Sequence, residues 1–239
     1  MAGVEGARRA RGTVVIIDVL RAFTVSSYAL SEGAVDCLLV GTIGEALELQ
    51  RAIPGSLVSA EVDGLPVPGV PISNSPSQVL QAELAGRTLV QRTSAGIQCA
   101  LAAAASADHM LVAALTVAAA TVRHLLWLRA NEVTLVASGA SDGHLEDRAC
   151  ADYLEALLTG AEVRLEDLLG PLRVSERFRQ IAAGEVPGFP PHDLQLALSY
   201  ADRFDFAMEA EPWRGSEAAA EPPPLRVRRV QLPAAAPPP

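Results

Sequence analysis

The chain has no lysine; all 19 of its Lys/Arg positions are arginine. That absence excludes a Walker-A phosphate loop, a Schiff-base enzyme and a pyridoxal-phosphate enzyme, each of which needs an amine at a fixed place. Cysteine is almost as scarce. Cys37, Cys99 and Cys150 are scattered, with no CxxC pair, so neither a disulfide frame nor a thiolate zinc site is expected, and reduced thiols point to the cytoplasm. Aromatic residues make up only 4% of the chain and are too dispersed for a base-stacking platform. With a formal net charge of −9, the chain lacks the basic face of a nucleic-acid binder. No apolar run reaches the roughly 18 residues of a membrane span. The most apolar stretch, residues 110–128, is broken by Thr116, Thr121, Arg123 and His124. The opening MAGVEGARRARG carries charge but no apolar h-region, so it does not read as a signal peptide. Neither a nucleic-acid nor a membrane partner is expected.

What is present is an alternation of short β-branched apolar runs with longer Ala/Leu-rich stretches. Strands are expected at residues 13–18, 36–40, 57–61, 88–91, 109–113 and 132–137, and helices at 21–31, 43–52, 76–85, 97–106, 117–130 and 146–159. This pattern predicts an α/β fold: a mainly parallel sheet with helices on both faces, in three layers, whose ligands sit at the carboxyl ends of the strands. Residues 1–160 read as this core and 161–212 as a smaller α+β extension with helices near 175–183 and 193–200 and a strand near 205–209. Residues 213–239 read as a linker, a last strand at 225–230 and a Pro-rich tail. Residues 62–72, with Gly64, Pro66, Pro68, Gly69 and Pro71, read as a loop. In Ser75-Pro76-Ser77-Gln78, Ser75 is expected to cap a helix, with Gln78 completing a capping box.

Five stretches place chemistry at strand ends. Asp18 closes the apolar run of VVIIDVLRAFT, with Arg21 three residues on; a carboxylate binds Mg²⁺ and a guanidinium forks two phosphate oxygens, although a helix cap beside an exposed Arg would look the same. Glu61 ends the third strand. Ser73-Asn74-Ser75-Pro76 meets a helix start, which suits an anion or a simple cap. Arg92-Thr93-Ser94-Ala95-Gly96 lets backbone amides approach a phosphate, or is an ordinary strand-to-helix turn. Glu146-Asp147 opens a helix, either as a dipole complement or as metal ligands. Within 139–143, Gly-Ala-Ser-Asp-Gly matches the G-x-S-x-G elbow and raises a serine hydrolase built on Ser141, which needs a later histidine such as His192. His109, His124 and His144 show no ligand spacing; the first two read as a strand start and a helix face.

In order, IDVLRAFTV, Glu61, SNSP, RTSAGIQCA, LEDRACADYL and DRFDFAM resemble the successive motifs of the 2-phosphosulfolactate phosphatase family, over about residues 13–208. The resemblance implies an α/β fold, Mg²⁺ dependence, and hydrolysis of the phosphate ester of 2-phospho-3-sulfolactate or a related phospho-2-hydroxy acid, a step of coenzyme M synthesis. It points to Asp18, Arg21 and Asp147 as catalytic, and to Asn74, Ser75, Arg92, Thr93, Ser94 and Gly96 as phosphate-binding. Asp18, Glu61, Glu146 and Asp147 are the implied metal ligands. The scheme it implies has Arg21, Arg92 and turn amides stabilising the transferring phosphoryl group, with Asp147 positioning water or Asp18 acting as nucleophile. Three departures stand out. Ser94-Ala95-Gly96-Ile97 replaces a Thr-Asn-Gly-Thr turn, Val62-Asp63-Gly64-Leu65 replaces a more basic segment, and an Arg/Gly-rich stretch stands where the family has a first strand. The first two bear on the substrate more than on the chemistry, and Ala95 and Ile97 motivate a non-catalytic anion-binding homologue as an alternative. A homo-oligomer is left open.

Overall fold

The computed structural model describes residues 1–139, 144–215 and 222–231. Among these, the chain forms ten helices and one nine-stranded sheet. The strands are β1 (Thr13–Ile17), β2 (Asp36–Leu39), β3 (Leu57–Val62), β4 (Leu65–Pro66), β5 (Thr88–Arg92), β6 (His109–Ala113), β7 (Val133–Ala137), β8 (Ala207–Pro212) and β9 (Leu225–Val230). The helices are α1 (Gly3–Arg9), α2 (Ala22–Ser31), α3 (Ile43–Ala52), α4 (Pro76–Val79), α5 (Gly96–Ala103), α6 (Ala118–Leu128), α7 (Leu145–Thr159), α8 (Leu165–Arg173), α9 (Glu176–Ala182) and α10 (His192–Leu198). Among the described residues no helix is long and apolar enough to cross a membrane.

The sheet order is β4-β3-β5-β2-β9-β8-β6-β1-β7, and it corrects the expectation of a mainly parallel sheet. Two parallel trios, β3-β5-β2 and β6-β1-β7, are joined by the antiparallel pair β8 and β9. The segments expected as an extension strand and a last strand thus fill the middle of the sheet. Three successive antiparallel pairings, β2–β9, β9–β8 and β8–β6, set the trios in opposite directions. Twist of roughly 20–25° per neighbouring strand accumulates over the five interfaces from β5 to β1 to more than about 100°. The carboxyl ends of β1 and β5 meet nonetheless, the Gly96 amide after β5 donating to Asp18 after β1.

Both faces are covered, as the near-continuous apolar strands require. Val14 and Ile16 of β1 pack with α1, α2, α4 and α5, whereas Val15 and Ile17 pack with α6 to α10. α3 covers Leu38, Val58 and Val90 on β2, β3 and β5. The segment expected to be only a loop contains a tight hairpin. Asp63 and Gly64 both have positive φ, the requirement of a two-residue type I′ turn, and turn β3 back onto β4. α4 stops at Val79 rather than near residue 85, and Leu84 beyond it is buried in the core. Ser75 does cap α4, accepting from the Gln78 amide at 3.4 Å, but Gln78 Oε1 turns to the Ser73 amide (2.7 Å) and hydroxyl instead of closing a box on Ser75. A true capping box lies at Thr42 and Glu45. Before β1, Ala2 makes an isolated parallel bridge to Ala137 of β7, and α1 follows.

Candidate active site

Asp18 leaves the end of β1 and is buried. One carboxylate oxygen accepts from the Ala22 amide at 3.0 Å, capping α2, and the other accepts from the Gly96 amide at 2.9 Å, at the start of α5. One side chain therefore ties the carboxyl ends of the two trios together. Position 96 has to be glycine for this contact, because a Cβ there would lie 2.4 Å from Asp18 Oδ2 and 2.7 Å from its Cβ. In the first turn of α7, Asp147 accepts from the Val19 amide (2.8 Å), the Ser138 hydroxyl (3.0 Å) and the Gly139 amide (3.0 Å). Glu146 beside it is fully buried; its Oε1 accepts from Arg177 at 2.7 Å, and its Oε2 has no hydrogen-bond partner among the described residues.

Burial raises the proton affinity of all three carboxyls. The charge of Glu146 adds to this at Asp18, and the charges of Asp18 and Glu146 add to it at Asp147. Three buried acids that repel one another store unfavourable energy in the ionised state. Between the usual carboxylate range and the raised values, the folded chain holds protons that the unfolded chain releases, so stability falls as pH rises through that window. Glu146→Gln keeps a side-chain oxygen to accept from Arg177 and removes one charge. It is expected to stabilise the metal-free protein at neutral pH by about 1 kcal/mol, an advantage that disappears as pH falls below the raised value. Urea midpoints of wild type and variant across pH check both the sign and the window. The nearby Cys99 thiol is pushed up to about 12, chiefly by burial and then by Asp18 and Asp147, so it is not a thiolate at neutral pH.

Opposite the acids lies a basic arm. Arg21 is buried, and its Nη1 donates to the Asp193 carboxylate and to the Gly188 carbonyl, each at 2.9 Å. The guanidinium lies 3.9 Å over the Phe189 ring. Burial lowers its pKa, opposed by the charges of Asp193, Glu61 and Asp18. Asp193 also accepts from the Ser75 hydroxyl (3.0 Å) and the Ser77 amide (3.1 Å), so it couples Arg21 to the SNSP turn. Asn74 is buried there, and its side-chain oxygen has no hydrogen-bond partner among the described residues. Glu61 Oε1 accepts from the Ser94 amide, and Arg92 donates to the Glu61 carbonyl (2.6 Å) and the Ser94 hydroxyl (3.1 Å). Thr93 is buried, its hydroxyl accepting from the Ile97 amide at 3.4 Å. Gly188 itself packs against the β3–β4 hairpin, for a Cβ there would meet Pro66 Cδ at 2.4 Å.

The sequence-derived residues therefore gather in two linked groups: Asp18, Gly96, Glu146 and Asp147 in one, and Arg21, Asn74, Ser75, Glu61, Arg92, Thr93 and Ser94 in the other. Asp193 and Arg177 were not foreseen, because each pairs with a residue far away in the chain. Ser141 lies outside the described residues, and His192 is exposed at the start of α10. The four acids expected as metal ligands do not meet in a tight set. The one trio of His, Cys, Asp or Glu ligand atoms found within 4.8 Å of one another among the described residues is His109, His124 and Glu209. Even so, hard oxygen donors of one sign, with Glu146 Oε2 unpartnered, fit a divalent cation of the Mg²⁺ type.

Comparison with known proteins agrees with the sequence motifs. The family model described as 2-phosphosulpholactate phosphatase matches residues 3–172. The chain is 35% identical over 151 residues to a Bacillus subtilis protein and 36% identical over 156 residues to one from Deinococcus radiodurans, covering 62% and 64% of this chain. It is 32% identical over 183 residues to a Symbiobacterium thermophilum protein, covering 75% of this chain and 78% of that one. All three relatives carry the name probable 2-phosphosulfolactate phosphatase. The matched part spans 65% of the Bacillus and Deinococcus proteins, just under two thirds of their length.

Proposed function

The chain belongs to the 2-phosphosulpholactate phosphatase family, and from that premise we propose that it is a magnesium-dependent phosphatase for 2-phospho-3-sulfolactate or a related phospho-2-hydroxy acid. The observation that carries this reading is the buried acid cluster of Asp18, Glu146 and Asp147, whose proton affinities burial raises, helped at Asp18 and Asp147 by neighbouring acid charge, and which includes a Glu146 oxygen unpartnered among the described residues. A divalent cation neutralises such a cluster better than any residue nearby. Asp18, Glu146 and Asp147 would hold Mg²⁺, with Glu61 as a fourth candidate, and the ion would supply positive charge to a phosphoryl oxygen.

The chain's own groups do the rest. Arg21 is aimed by Asp193 and the Gly188 carbonyl, and its hydrogen bonds among the described residues all run through Nη1. Its remaining donors suit phosphate oxygens. The turn from Thr93 to Gly96, braced by Glu61 and Arg92, would supply to phosphate the Ser94 and Gly96 amides, which here donate to Glu61 and Asp18. Asp147, whose carboxyl holds a proton more tightly than usual, would position water and take its proton as the water oxygen bonds to phosphorus and the ester P–O bond breaks, the proton then passing to the leaving alkoxide. The Phe189 ring, its centroid 3.9 Å from Arg21 Cζ, keeps bulk water from that guanidinium.

The test is inorganic phosphate release from 2-phospho-3-sulfolactate and a panel of phospho-2-hydroxy acids, with Mg²⁺ and with EDTA. Release in Mg²⁺ and none in EDTA is expected, with a preference for esters carrying a second anionic group. Binding of the esters without release from any of them would favour an anion-binding protein. Cleavage of carboxyl esters regardless of chelator, lost in Ser141→Ala, would replace the proposal with a serine hydrolase.

A further inference from the structure

We propose that His109, His124 and Glu209 form a second metal site, for a borderline divalent ion such as Zn²⁺. The three residues come from β6, α6 and β8. His109 Nε2 lies 2.7 Å and His124 Nε2 3.3 Å from Glu209 Oε1, and the three ligand atoms lie within 4.8 Å of one another. A tetrahedral zinc ion with bonds near 2.0–2.2 Å holds its ligand atoms about 3.4 Å apart, so small adjustments bring all three onto one centre.

A hydrogen-bonded His-Glu-His cluster is the competing account, and the His109 ring argues against it. Despite the 2.7 Å approach, His109 Nε2 makes no hydrogen bond among the described residues, and neither does the buried His124 Nδ1. A ring nitrogen that stands beside a carboxylate without aiming an N–H at it is placed for a common third atom. His124 is fully buried and stacks on Trp127 at 5.7 Å, which fixes its ring plane. A hollow of about 170 Å³, lined in part by Asp108, His109, Glu209 and Pro212, opens on two of the three ligands and leaves room for a water as fourth ligand. Two imidazoles and one carboxylate favour zinc-like ions over Mg²⁺ or Ca²⁺.

This site is separate from the acid cluster. His109 pairs with Thr13 at the start of β1, and Asp18 follows its end, five residues or about 16 Å of strand away. An ion here clamps β8, the strand through which the two trios are joined, to β6 and α6. Its role is therefore to hold the sheet together, whatever reaction the other end performs.

The full chain, stripped with chelator and then held in excess Mg²⁺ to fill hard-oxygen sites, is titrated with Co²⁺ and then with Zn²⁺. One equivalent of Co²⁺ is expected to give the strong visible absorption of a four-coordinate ion, Zn²⁺ to displace it, and the melting temperature to rise. His109→Gln changes a partly exposed side chain, and Glu209→Gln keeps the shape of its site. Each is expected to abolish the band and weaken Zn²⁺ binding by at least about 100-fold, while Asp18→Asn retains both. No Co²⁺ band in the wild type, or a band that survives both His109→Gln and Glu209→Gln, overturns the site.

Discussion

Asp18→Asn is expected to lower kcat/KM for phosphate-ester hydrolysis by about 10³-fold or more. The reason is geometric as well as electrostatic. Both oxygens of Asp18 accept backbone amides, Ala22 on α2 and Gly96 on α5. An asparagine keeps one acceptor and presents an NH₂ to the other amide, so two donors face each other. It also removes one of the three charges that call for a cation. The loss therefore combines a weaker metal site with a misplaced phosphate turn. Steady-state phosphate release measures the whole effect, and its dependence on Mg²⁺ concentration separates the parts. A shifted half-saturation marks the metal, and a lowered plateau marks the turn. Wild-type turnover by Asp18→Asn would remove the centre of the mechanism.

The second large effect is on stability. Asp193→Ala is expected to cost about 3–5 kcal/mol, because it leaves the Arg21 guanidinium buried without its counter-charge. Arg21 and Asp193 have side chains only 3% and 0% exposed and lie 2.9 Å apart. Burial already lowers the Arg21 pKa, with the Asp193 hydrogen bond and charge opposing the shift. The same substitution strips an acceptor from the Ser75 hydroxyl and the Ser77 amide, and so loosens the α4 start. Urea denaturation checks the magnitude. An unchanged midpoint would mean that Arg21 is solvated in solution and that its pairing with Asp193 does not brace the site.

Much of the frame was legible from the chain alone because its cues are local. Apolar runs such as VVII and LLV, each followed by an Ala-rich stretch, mark β1, α2, β2 and α3 to within a residue or two. Ser75 and Pro76 announce the start of α4. The sheet order was not legible, because pairing of β8 with β6, and of β9 with β2, spans long loops and is decided by which apolar faces remain to be covered. Leu225, Val227, Ala207 and Met208 are all buried; their segments read as strands, at 205–209 and 225–230, but nothing in their Pro-, Glu- and Arg-rich surroundings places them mid-sheet. α8 carries a proline at position 171, which weakens its helical signature.

The candidate site divides in the same way. Asp18, Glu61, Glu146 and Asp147 stand at strand ends or helix starts, where position in a local pattern suggests chemistry. Asp193 and Arg177 sit on short C-terminal helices and reveal themselves only through partners 172 and 31 residues away. His109 and His124 do occupy a strand start and a helix face, as their spacing implies, yet β8 brings Glu209 between them. Ligand spacing along a sequence detects only sites built on one element, and this one is built on three.

The most direct test of the acid cluster as a metal-dependent phosphatase site is phosphate release followed against Mg²⁺ concentration, for the wild type and Glu146→Gln side by side. The wild type is expected to be silent in EDTA and to saturate with Mg²⁺, and the variant to need at least about 10-fold more Mg²⁺ for half its maximal rate. Identical Mg²⁺ curves, or equal release by both proteins in EDTA, would contradict the assignment of this cluster as the cation site.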